Sequence, residues 1–146
     1  MYRTILEGKL EGVDETTSIV SQSLNMKVDE VYFFQEKEGY HIAFTKDENN
    51  DEWIVFVPLE DEIKKENFIL LEKEDVLSKE EIESKWQQNC TQCELIDSTP
   101  AMIDQIPLWE LTYRDNSNRY VIEYILLKDG SVYEQLRLFR KYSEKG

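Results

Sequence analysis

Histidine occurs once in this chain, cysteine twice, proline three times and glycine five times. With His41 alone, any acid–base or metal chemistry built on paired imidazoles is excluded. The glycines form neither a phosphate-cradling loop nor a nucleophile elbow. No apolar run approaches the roughly 20 residues a membrane-crossing helix needs. An apolar signal-peptide core is missing too: Met1, Tyr2, Arg3 and Thr4 lead straight into Ile5, Leu6, Glu7 and Gly8. Taken alone, this opening reads as cytoplasmic; a membrane anchor lying upstream of Tyr2 would leave the same trace. Basic residues are also few, 17 against 31 acidic ones, a net charge of −14. Such a balance repels phosphate backbones and anionic lipid, so neither nucleic acid nor a membrane surface is an expected partner. It suits a solvated surface or a basic protein partner.

What is present is enough for a core. Hydrophobic residues make up 40% and aromatics 12%, too many for a disordered chain. Leu6, Leu10, Val13, Thr17, Val20 and Leu24 are spaced as one stripe of a helix. Gly8 and Gly12 weaken its first half by roughly 1 kcal/mol each, so a firm helix is expected from about Asp14. Strands are expected over 31–35, 40–45, 53–57 and 68–71. The third is apolar on both faces and ends at Pro58. Ser78 and Glu81 form a capping box, with Leu77 and Ile82 placed as a hydrophobic staple. A second helix therefore starts at Ser78, carries Ile82 and Trp86 on its inner face and fades near Asn89. Further strands are expected over 108–113, 120–126 and 132–138, the last two joined by a two-residue hairpin at Asp129 and Gly130.

The two halves resemble each other. Tyr40, His41, Ile42, Ala43 and Phe44 match Trp109, Glu110, Leu111, Thr112 and Tyr113. Each segment leads to a polar loop opening with a basic–acidic pair, Lys46 and Asp47 or Arg114 and Asp115. Each loop leads to an aromatic, Trp53 or Tyr120. With a helix before each copy, the pattern is an internal duplication. The expected fold class is α+β: two tandem units, 1–75 and 76–146, each a helix packed on an antiparallel four-stranded meander.

The residues that could carry chemistry form no recognisable catalytic constellation, and neither catalytic residues, metal nor cofactor are expected. Cys90 and Cys93 have C-x-x-C spacing but fall at the end of a helix, where the dipole opposes a thiolate. They read as two free thiols or one local disulfide, with thiol–disulfide redox chemistry as the alternative function. Asp47, Asn49 and Asp51 match the first ligand positions of an EF-hand loop, but Glu52 and Pro58 stand where its glycine and glutamate belong. His41 reads as a surface or interface residue on the polar face of its strand. The apolar run from Val31 to Phe34 marks an edge strand, with Tyr32 and Phe34 as outward contacts for a protein partner.

Two stretches resemble the YpmB-like proteins of Gram-positive bacteria. In the first half these are Val31, Tyr32, Phe33 and Phe34, then Gly39, Tyr40, His41 and Ile42, then the segment from Trp53 to Pro58. In the second they are the segment from Leu77 to Ile82, that from Leu108 to Asp115, and that from Lys128 to Val132; this half is PepSY-like. The resemblance implies tandem cystatin-like domains, without established activity, held outside the cytoplasm by an N-terminal anchor that this sequence lacks. It makes the expected function a non-enzymatic binding or regulatory module of the cell envelope, one that restrains a peptidase or another envelope enzyme.

Overall fold

The structure, a computed structural model, describes residues 12–137. Leu6, Gly8, Leu10 and Leu138 lie outside the described residues. Helix α1 (Val13–Leu24) opens at Gly12, which takes a left-handed φ of 83° and gives no side-chain cap. Asn25, also left-handed, closes it. Strands β1 (Lys27–Gln35), β2 (Gly39–Lys46), β3 (Glu52–Pro58) and β4 (Ile69–Glu72) follow as an antiparallel meander in sequence order. Helix α2 (Lys79–Asn89) begins with the full capping box: Ser78 Oγ accepts from Glu81 N, and Glu81 Oε1 accepts from Ser78 N. A second meander follows, of β5 (Glu94–Ile103), β6 (Ile106–Arg114), β7 (Tyr120–Leu126) and β8 (Val132–Arg137). The fold is thus α+β: among the described residues, two helices are each followed by a four-stranded antiparallel sheet. By contact, one unit ends at Val76 and takes in Met102–Asp104; the other comprises the rest from Leu77 onward.

In the first unit, Val13 and Val20 of α1 share a core with Val28, Val31, Ala43, Val55, Val57 and Phe68. The inward position between the two valines is Thr16, fully buried, rather than the half-buried Thr17 of the expected stripe. Alternation along a strand puts Val55 and Val57 on this face and Ile54 and Phe56 on the other. All four are at most 2% exposed, so the sheet is buried on both faces at β3. In the second unit, Ile82 and Trp86 are the buried residues of α2. The Trp86 ring packs on Tyr113 at 5.1 Å.

Two local features depart from the sequence reading. The chain between α2 and β6 is a strand, β5, although Asp97, Ser98, Thr99 and Pro100 sit within it. It lies at a sheet edge, where proline's missing N–H costs no ladder bond. The β7–β8 connection is longer than a two-residue turn. Gly130 N donates to Leu126 O at 2.8 Å and Leu126 N to Ser131 O at 2.9 Å, with Gly130 at φ 81°.

The duplication is real in form and the loop pairing of Lys46 and Asp47 with Arg114 and Asp115 holds, but the strands before the loops match one residue away from the sequence alignment. Lys46 pairs with Glu52 across the first hairpin and Arg114 with Tyr120 across the second. Counting back from Asp47 and Asp115 makes Trp109 the counterpart of His41, not of Tyr40. Leu111 and Tyr113 likewise answer Ala43 and Thr45. A slip of one residue moves a side chain to the opposite face, and here the shift gives Trp109 and His41 equivalent inward positions, each within its own unit.

Candidate functional site

The inward register determines the fate of the one histidine. His41, expected as a surface or interface residue on a polar strand face, is 1% exposed and faces inward. Its Nδ1 lies 2.7 Å from Thr16 Oγ1 of α1, itself fully buried. Phe33 of β1 meets the ring edge-on at 6.2 Å, and Val57 is its cross-strand neighbour on β3. Nε2 is buried without a hydrogen-bond partner. Burial lowers the ring's pKa below its ordinary value, because the apolar layer disfavours the cation. Among the described residues the ring meets the Thr16 hydroxyl and the apolar Phe33 and Val57, with no carboxylate to orient it.

In the second unit, Trp109 donates its indole N–H to Ser98 Oγ. Beside it in the inward layer lies a polar cluster that reasoning from sequence missed. Glu123, 6% exposed, accepts at Oε1 from Tyr113 OH and from Gln135 Nε2, both at 2.7 Å. Burial first, then the neighbouring carboxylate, push the Tyr113 hydroxyl above the ordinary phenol value. The signal in the sequence was a carboxylate at an inward step of β7, between Val121 and Ile125.

The two polar loops are the same turn. In residues 47–51, Asp47 Oδ1 accepts from Asn49 N and Asp51 N at 2.9 Å, and Asn50 is left-handed. In residues 115–119, Asp115 Oδ1 accepts from Ser117 N and Arg119 N at 2.9 Å, and Asn118 is left-handed. The second oxygens are engaged too: Asp47 Oδ2 by Trp53 Nε1 at 3.0 Å, Asp115 Oδ2 by Arg119 Nε at 3.0 Å. The aspartate of the EF-hand-like spacing therefore builds a turn. The Trp53 indole, then the Asp51 amide, hold the Asp47 carboxyl below the usual carboxylate range.

Cys90 caps the C-terminal end of α2 and is disulfide-bonded to Cys93, with Cα atoms 5.4 Å apart. Tyr32 and Phe34 lie on β1, and β1 is a sheet edge. Their side chains do not face solvent as expected; each is 7% exposed. Tyr32 stacks edge-on against Phe44 at 5.6 Å. The reason is again the sheet buried on both faces, which leaves no outward side at these positions. Exposed apolar side chains fall on other edge strands: Leu70 on β4, Ile96 on β5, and most of all on β8, where Val132 is 57% and Leu136 43% exposed.

Comparison of the whole arrangement gives one solved structure of the same design: the YpmB protein from Bacillus subtilis, with a TM-score of 0.77 over 88% of this chain and 98% of that one. The fold is that of YpmB. At 20% identity the likeness to YpmB is one of architecture, helix and meander twice over. No family model and no curated protein matches the chain.

Proposed function

We propose that this chain is a non-enzymatic binding and regulatory module of the bacterial cell envelope. It would restrain a peptidase or another envelope enzyme by taking an extended segment of that partner onto a sheet edge. The observation that carries this reading is β8. It ends its sheet, is exposed at most positions, and keeps Val132 and Leu136 in solvent. A terminal strand of that kind can offer a backbone ladder for affinity and alternate side chains for specificity. The YpmB fold supports an envelope role. The Cys90–Cys93 disulfide supports an oxidising compartment. Among the described residues no helix is long and apolar enough to cross a membrane, so membrane attachment in this reading rests on an anchor outside them.

The test is capture of partners from a Gram-positive envelope extract, comparing the wild-type chain with a Val132→Lys, Leu136→Lys double variant. Both variants should melt alike, and the double variant should lose the captured enzyme. Equal capture by both chains would remove strand addition at β8. The redox alternative rests on the disulfide alone, and the C-terminal end of α2 places the negative end of the helix dipole beside its sulfurs. Reduction of a disulfide substrate that disappears in Cys90→Ser would favour it over the binding reading.

A further inference from the structure

Helix α1 is held at its start differently from α2. The capping box that fixes the first turn of α2 has no counterpart in α1, where Gly12 gives no side-chain cap. In its place stands the imidazole of His41, wedged between the first turn and the sheet. Thr16 Oγ1 meets Nδ1 at 2.7 Å. Gly12 lies so close that a Cβ there would sit 3.6 Å from Cε1. On the sheet side the ring faces Phe33 of β1 and Val57 of β3. Nε2 is sealed in without a partner. Neither β1 nor β3 brings a titratable group to the ring through these contacts. The nearest α1 carboxylates in sequence, Asp14 and Glu15, are exposed in the first turn.

A neutral ring protonated at Nδ1 fits this slot: Nδ1 donates to Thr16 Oγ1, and Nε2 buries a lone pair rather than an N–H. A charged ring does not: it places a cation in an apolar layer, with an N–H that has no acceptor, at the positive end of the α1 dipole. We propose that His41 is a pH-sensitive latch for α1, whose first turn undocks from the sheet when acidification charges the ring. A buried ring that binds protons less readily than the unfolded chain gives docking at full strength above about pH 6.5 and weaker docking as the pH falls below it. Undocking of the first turn uncovers Val13 and the apolar sheet face beneath it, both part of the buried core.

Amide hydrogen exchange along α1, corrected for the intrinsic effect of pH, reads the latch directly. Between pH 7.5 and pH 5 the protection of residues 13–20 should fall about tenfold for each unit by which the folded ring's pKa lies below 6.5, up to a ceiling of about thirtyfold at pH 5, while α2 and its sheet keep theirs. In His41→Gln the fall should vanish. The ring resonance of the wild-type chain gives a second readout that needs no variant: His41 should titrate below the ordinary histidine range. Unchanged α1 protection at pH 5, a fall that persists in His41→Gln, or an ordinary ring titration would each overturn the proposal.

Discussion

Two residues show how much a single inward position decides. Trp86 was legible from its spacing after Ile82 in a capped helix, and it is 6% exposed against Tyr113. Trp86→Ala should lower stability by about 3–5 kcal/mol in denaturant titration; a shift below about 1 kcal/mol would mean the site does not hold that core together. His41 was misplaced, because polar residues in a strand are assigned to solvent unless both faces are known to be covered. The information was present in the apolar run of 53–57, but only the assembled sheet shows that its neighbour strand is buried on both sides as well. Asp115 gives a test in acid. Burial raises its carboxyl, but the Arg119 and Ser117 amides and then the Arg119 charge outweigh this and hold it below the usual value. A lowered folded pKa gives stability that is present above about pH 4 and lost as the pH falls through the folded value. Asp115→Asn should therefore flatten the acid limb of the stability–pH curve while leaving the limb above pH 6 parallel to wild type.

At the level of elements, the helices were the most readable part. The capping box at Ser78 and Glu81 placed the start of α2 at the residue where it occurs. Ser78→Ala should cost about 1 kcal/mol, measured by thermal melting, and a silent substitution would show that the box adds nothing beyond solvent. Strand β5 was not readable, since its polar center and Pro100 carry turn composition and only its place at a sheet edge makes them acceptable. Strand β1 was readable as an edge, yet the freedom of its side chains was not. With Tyr32 and Phe34 buried, Tyr32→Asp should destabilise by about 2 kcal/mol or more, seen as an earlier unfolding midpoint. A midpoint equal to wild type would return these residues to the surface.

For the whole molecule, duplication was visible in the sequence, but its register was not. Aromatic residues drew Tyr40 to Trp109 and Trp53 to Tyr120. The backbone keeps the pairing of the aspartates that open the two loops, and both aromatic matches fall one residue away from it. Those loops have a practical corollary. Residues 47–51 and 115–119 share the two amide bonds to the aspartate Oδ1 and their left-handed asparagine, yet differ at Glu48, Asn49 and Asp51 against Asn116, Ser117 and Arg119. The turn is thus written in an aspartate, an asparagine and a spacing, and the remaining positions are free text. A transplant of residues 116–119 into positions 48–51 should shift stability by no more than about 0.5 kcal/mol, the scale of ordinary surface changes. Should the graft unfold the first unit, the loops are alike only in outline. If it is tolerated, the molecule holds two interchangeable sockets in which new loop sequences can be installed without rebuilding either sheet.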